Sequence, residues 1–412
     1  MKKQNLTKFL SLIKYVLAFF MLVNFAMSQV IWQKSNGPYD GTVFALISMN
    51  NNLLAGTAYG GVYVSTDNGS NWVQSNSGMS STAITCFAKG SANVFAGTQA
   101  GVFRSSDNGN SWVQVNSGLT TSQIKSMAVH PNGSVFTGTD GAGVFRSQNN
   151  GGSWTKMVNG LTTLEVYSLA ISQEGTIFAG TWGGGVFRST DNGESWTAVN
   201  TNLNNPLIWS LLVYNNQIYA GTFGGGIYKS VNNGDEWTEV NQGLTNMIVY
   251  CFASNSAGEI FAGTDGGGVY RTTDNGNYWF QDTSGLNDTR IWSLTVRQNG
   301  YIFAGSYGNG VYKSTKSTPV EELKINSDVY LEQNYPNPFS QKTNVYYKLP
   351  LSSKTAKLEI SDVLGNVRRS IYLENADDMV EVDLSGLENG IYFYTLITND
   401  QKLQTRMMTL VR

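Results

Sequence analysis

Eight residues, Ser65-Thr66-Asp67-Asn68-Gly69-Ser70-Asn71-Trp72, return in closely similar form at 105–112, 147–154, 189–196, 230–237 and 272–279. The tryptophans that end them, Trp72, Trp112, Trp154, Trp196, Trp237 and Trp279, are separated by 40, 42, 42, 41 and 42 residues. Such a period belongs to units that cannot bury an apolar face alone and stack on copies of themselves. Each unit holds four short runs suited to strands, parted by Gly or Asn turns. In the fourth these are 166–172, 175–180, 185–189 and 196–200. Four strands per unit predicts a β-propeller blade and excludes a helical repeat.

The ends of the repeat set the expected number of blades. Ile31-Trp32-Gln33-Lys34 lies 40 residues before Trp72 and reads as a fourth strand lacking its first three. The last unit stops at Gly310-Val311-Tyr312-Lys313-Ser314, before any tryptophan. The expected fold class is therefore all-β: a seven-bladed propeller over 29–315, closed by its N-terminal strand so that no edge stays open. Residues 1–28 read as a signal peptide, with Lys2, Lys3, Lys8 and Lys14 before an apolar run and the small residues Ala26 and Ser28 at the cleavage site. All but three of the 45 glycines precede Lys316, so a differently built region follows. A linker is expected over 316–325 and a small antiparallel β-sandwich over 326–412, with strands near 344–348, 356–360 and 391–397.

Composition removes several chemistries. His130 is the single histidine, so multi-histidine metal sites cannot be built, and no metal or cofactor is expected. A formal charge of −2 gives no electrostatic reason to expect nucleic acid. No later stretch is long and apolar enough to span a membrane, and the mature chain is expected to be monomeric. Cys86 and Cys251 align with one small residue in each innermost strand and are expected to be free, buried thiols. His130, in His130-Pro131-Asn132-Gly133, reads as a turn residue.

Two resemblances follow from quoted residues. Gln333-Asn334-Tyr335-Pro336-Asn337-Pro338-Phe339, then Ile360-Ser361-Asp362-Val363-Leu364-Gly365, Leu387-Glu388-Asn389-Gly390-Ile391-Tyr392 and the basic end at Arg412 resemble the C-terminal sorting domain of the type IX secretion system of Bacteroidetes. This implies that 326–412 engages the type IX secretion machinery and that the protein reaches the cell surface or the medium. The Ser-x-Asp-x-Gly-x-x-Trp repeat resembles the Asp-box of bacterial sialidases and related propellers. There the Asp oxygen is expected to accept backbone N–H groups across a turn, Asn149 and Asn232 keeping that oxygen in two units. The three arginines that hold the substrate carboxylate in that family are not matched here. Arg104, Arg146, Arg188 and Arg271 fill one lattice position shared with Lys229 and Lys313, and only Arg290 and Arg297 stand out of register.

Positions that differ between units point to the function. In the loop G-T-x-G-G-G-V the variable residue is Ala58 (beside Tyr59), Gln99, Asp140, Trp182, Phe223, Asp265 and Tyr307. At the start of the innermost strand it is Phe44, Thr85, Lys125, Tyr167, Trp209, Tyr250 and Trp292. The loop set is expected to be exposed around the channel mouth, and the inner-strand set to pack between blades. Tyr59, Gln99, Asp140, Trp182, Phe223, Asp265, Tyr307, Trp209, Tyr250, Trp292 and Arg290 are the candidate rim. Flat rings with polar handles suit sugar rings or protein hot spots. The expected function is non-catalytic binding of an extracellular glycan or protein. The alternative is a xyloglucanase- or sialidase-like glycoside hydrolase acting on extracellular polysaccharide, with Asp140 and Asp265 as acid and base.

Overall fold

A computed structural model of the chain describes residues 30–39, 41–49, 52–315, 330–349, 355–363, 365–373, 377–398 and 401–411. The expected signal peptide (1–28), the linker (316–325), Leu364 and Arg412 lie outside the described residues. The chain divides into two compact units, Met1–Val320 and Glu321–Arg412. Among the described residues there is no helix.

The first unit is a set of four-stranded antiparallel sheets of the kind that make propeller blades. In the sheet around Trp182 the strands run Val166–Ile171, Ile177–Thr181, Gly185–Ser189 and Thr197–Ala198, from innermost to outermost. Ile177–Thr181 is buried at every residue, because the sheets on either side cover both its faces. The outermost strand is only two exposed residues, which leaves little edge to pair with another chain. It is shorter than the expected 196–200 because the Trp196 amide donates to Asn159 O of the preceding sheet, not to its own ladder.

Tryptophan ties each sheet to the one before it. Trp154 packs with Phe95, Val102 and Val115 of the preceding sheet, and its indole N–H donates to Val115 O at 2.7 Å. Its amide donates to Ser117 O at 2.8 Å. Trp32 makes the same pair of bonds at the far end of the repeat, from its indole to Asp282 O at 2.9 Å and from its amide to Ser284 O at 2.8 Å. Gly118 and Gly285 sit so close to the Trp154 and Trp32 carbonyls that a Cβ at either would collide with the oxygen. The strand Trp32–Lys34 is the outermost member of the sheet formed by Ile291–Val296, Ile302–Ser306 and Val311–Ser314, with Trp32 opposite Ser314. The same seam holds a buried ion cluster. Arg271 spans Glu259 and Asp282 at 2.8 Å each, and Asp282 also accepts the Val30 amide at 3.3 Å.

The repeated octapeptide forms one turn throughout. Ser65 Oγ donates to Asp67 Oδ1 at 2.9 Å and accepts the Gly69 amide at 2.8 Å, while Asp67 Oδ1 accepts the Asn71 amide at 2.9 Å. Asn149 replaces the acid and keeps the geometry, accepting Ser147 Oγ at 2.9 Å and the Ser153 amide at 2.8 Å. The Asn71 amide, above all, holds the Asp67 carboxyl down at about 2. His130 does more than turn the chain: its ring lies 2.9 Å from Gly175 O of the following sheet.

The second unit is a β-sandwich. Tyr330–Leu331, Lys342–Lys348 and Asp377–Asp383 form one sheet, and Val367–Tyr372, Ala356–Asp362, Gly390–Thr398 and Gln401–Leu410 the other. Leu331, Val345, Leu358, Val382, Tyr394 and Met408 are among the residues that fill the space between them. Asn334, buried, locks the segment before the second strand: its amide donates to Tyr394 Oη at 2.9 Å, and its side chain to Thr343 Oγ1 at 2.9 Å and Pro336 O at 3.0 Å.

Candidate functional site

Each innermost strand carries a β-bulge at its variable residue. Val166 pairs with Thr181 and Ser168 with Gly180, leaving Tyr167 as an extra residue. The same shift places Phe44, Thr85, Lys125, Trp209, Tyr250 and Trp292 outside their ladders. A bulge frees its extra residue from the pairing pattern and re-aims its side chain. These residues and the two that follow each of them line one cavity of about 280 Å³. The inner-strand set is therefore mostly half-buried against the cavity, where its rings also meet those of neighbouring sheets. Alternation alone does not show a bulge.

The loop residues are pinned beside these side chains. The Trp182 amide donates to Glu165 O at 3.0 Å, and Trp182 also bridges to Leu207 of the next sheet. Phe223 bridges to Ile248, Asp265 to Arg290 and Asp140 to Glu165. Three side chains that sequence reasoning missed hold these loops. Asn205 donates to Phe223 O at 3.2 Å, Asn246 donates to Asp265 O at 2.6 Å, and Asp288 accepts the Gly308 amide at 2.7 Å. Their signal was an Asn or Asp recurring two residues before Leu207, Ile248 and Arg290.

The result is a continuous arc of eight rings. Trp209 lies at its centre, with centroids 5.2 Å from Tyr167, 5.7 Å from Trp182, 6.1 Å from Phe223, 5.2 Å from Tyr250 and 5.7 Å from Trp292. Tyr250 and Trp292 stack at 4.2 Å, and Phe44 and Tyr307 join through Trp292 at 5.0 and 6.1 Å. These separations suit offset and edge-on contacts, which make the arc mutually supporting. Phe223 and Tyr307 keep 37% and 42% of their surface exposed, so the outer rings still offer apolar area. The Trp292 indole N–H is buried and meets no acceptor among the described residues.

Charge gathers at the ends of the arc. Lys125 lies 5.0 Å from the Tyr167 centroid and pairs with Asp140 at 3.1 Å. Arg290 covers the Tyr307 ring at 4.1 Å, and Asp288 steadies it at 3.5 Å. Burial first, then the Asp265 charge, pushes the Tyr250 hydroxyl up to about 12. Of the candidate rim, Trp182, Phe223, Tyr307, Trp209, Tyr250 and Trp292 thus come together, with Arg290, Asp140 and Asp265 at their margin. Tyr59 and Gln99 are exposed and make no ring contact among the described residues. The remaining stretch of rim carries Thr85 and Lys125, so the mouth is aromatic on one side and polar on the other. Cys86 and Cys251 are free, as expected, but half-buried because they line the cavity. Burial pushes the Cys86 thiol up to about 12. No cluster of three or more metal-ligating His, Cys, Asp or Glu side chains occurs among the described residues.

Two family models match parts of the chain: a secretion system C-terminal sorting domain over 333–409 and the DUF6242 beta propeller domain over 116–247. No curated protein matches. Among solved structures, PorZ of Porphyromonas gingivalis, described as an essential surface component of the type IX secretion system, superposes with a TM-score of 0.57 at 16% identity. That match covers 92% of this chain and 60% of PorZ, so this chain spans well under two thirds of that structure. The extracellular domain of a putative hybrid two-component system from B. thetaiotaomicron gives 0.59 at 17% identity, covering 92% of this chain and 57% of that one. The GH74 enzyme of Niastella koreensis gives 0.52 at 18% identity, over 67% of this chain and 43% of the enzyme. At these identities the likeness is one of fold, a β-propeller. The sorting domain marks the protein for export across the outer membrane, to the cell surface or the medium, and no described helix could cross a membrane.

Proposed function

We propose that residues 29–315 form a seven-bladed Asp-box propeller, closed by the strand at Trp32, that binds an extracellular ligand without catalysis through the aromatic arc. In this reading 1–28 is a signal peptide removed on export, and 326–412 delivers the propeller to the type IX machinery. The observation that carries it is the eight-ring network around Trp209, built from bulge and loop residues. Flat apolar faces with a polar margin suit the faces of sugar rings or an aromatic protein hot spot. The surface component and sensor domains among the structural neighbours are in keeping with a binding role. The hydrolase reading has the GH74 neighbour in its favour, but Asp140 is engaged with Lys125, which leaves it poorly placed as a proton donor.

A glycan array with the purified protein tests the proposal. Trp182→Ala combined with Phe223→Ala is expected to weaken binding by roughly 30-fold or more, the scale of two aromatic hot-spot residues, with little change in melting temperature. Glycosidase turnover by a protein that binds nothing on the array would sink it.

A further inference from the structure

One position in the repeat behaves differently at the seam where the last sheet meets the first. Just before the motif serine, Arg104, Arg146 and Arg188 donate to the main-chain oxygens of Asn150, Asn192 and Asn233 in the following sheet at 2.8, 2.7 and 2.7 Å. Lys229 does the same to Asn275 O at 3.0 Å. Arg271, at the same position, turns instead to the carboxylates of Glu259 and Asp282. At the seam the residue is Lys313, for which the corresponding acceptor would be Asn68 O. That bond is not made. The Lys313 ammonium lies 4.4 Å from the Tyr301 ring centroid and meets no oxygen acceptor among the described residues.

A second cation stands close by. Arg297 donates to Asn68 Oδ1 at 3.2 Å, from a hairpin position that other units fill with Gly90, His130, Ser172 and Asn255. Burial, and then the Arg297 charge, push the Lys313 ammonium below its usual value; Asp67 is the acid that opposes them. Asp67 is already engaged by Ser65 and Asn71 within its own turn. Beside Lys313 opens a cavity of about 400 Å³, lined also by Lys34, Ser35, Asn36, Ser70 and Thr315, with no carboxylate among the described residues of its wall.

We propose that this seam cavity binds an oxyanion: a sulfate, phosphate or carboxylate, free or carried on a sugar. The anion would sit against Lys313 and Lys34, with the Thr315 hydroxyl beside them; Ser35, Asn36 and Ser70 already donate to Gly69 O, Asn71 Oδ1 and Asp67 O and shape the wall. Charge-assisted bonds of this kind are the strong ones, and a cation short of an acceptor gains most from them. The site is separate from the aromatic arc and does not depend on the reading of it.

The test is calorimetric titration of the full chain with inorganic sulfate, N-acetylgalactosamine 4-sulfate and glucuronate, alongside Lys313→Gln and Lys34→Gln. Saturable sulfate binding is expected, weakened about tenfold by Lys313→Gln and unchanged in Trp182→Ala. Without anion, Lys313→Gln should melt no lower than the parent, because it removes a desolvated charge, and the parent alone should rise on adding sulfate. Tighter binding of the sugar-borne anions would identify a glycan substituent as the ligand; equal binding would identify the free oxyanion. Selenate soaked into crystals should give anomalous density at Lys313. Sulfate that fails to saturate, or that binds Lys313→Gln as tightly as the parent, overturns the proposal.

Discussion

Asp67 and Asp191 have carboxyls held at about 2, the first mainly by the Asn71 amide and the second mainly by the Ser195 hydroxyl. Asp107 is also near 2: its burial works the other way, but bonds from Ser111 and Ser105 outweigh it. A folded value below the unfolded one stabilises the protein fully above about pH 4, and that contribution is lost as pH falls towards 2. Melting temperature should therefore drop over that window. The triple variant Asp67→Asn, Asp107→Asn, Asp191→Asn should drop less, because Asn149 already makes the same bonds without a charge. Thermal melts between pH 5 and pH 2 check this. The carboxylate's part in the turn was legible from the Asp/Asn exchange between units. The serine's double role was not, since a hydroxyl that both donates and accepts leaves no trace in spacing. Nor was the positive φ of Asn68, at 59°, because an Asn-Gly pair reads as a turn whichever residue bears the strain.

At the scale of elements, Trp32 repeats the contacts of the internal tryptophans although it lies some 250 residues from its partners. Trp32→Ala should cost about 3–5 kcal/mol, the range for a buried aromatic. Urea unfolding would show it as a lower midpoint, and a loss under 1 kcal/mol would argue that the seam contributes little. The four-strand unit, its turns and the unfinished ends could all be read from the sequence, because each has a residue signature: paired apolar runs, Gly-Asn doublets, a tryptophan at fixed spacing. The bulges could not. In Val166-Tyr167-Ser168 the apolar pair looks like a buried run, and only the pairing of Ser168 with Gly180 shows that Tyr167 has left the ladder. That single shift turns the inner-strand rings to the wall of the candidate site.

For the whole molecule, the chain is two compact units with separate cores. Removing 330–412 should leave the melting temperature of the propeller within about 2 °C of the parent, since distant cores contribute independently. The truncated protein should fail to reach the cell surface, and fractionation with immunoblotting would reveal it retained in the periplasm. The tail was recognisable from Gln333 to Phe339 because Asn334, Thr343 and Tyr394 must meet to lock that segment. The ligand was not recognisable, because ring type fixes a surface's chemistry and not its guest. The bulges have one more consequence. A residue left without a partner in the ladder register can be exchanged without shifting the pairing of its neighbours, so recognition and folding are encoded largely at different positions. A library randomised at 44, 85, 125, 167, 209, 250 and 292 should keep most of its members folded, whereas one randomised at their neighbours 43, 84, 124, 166, 208, 249 and 291 should not. Protease resistance of the displayed variants would separate the two. A scaffold arranged this way can change what it binds many times over while its architecture stays the same.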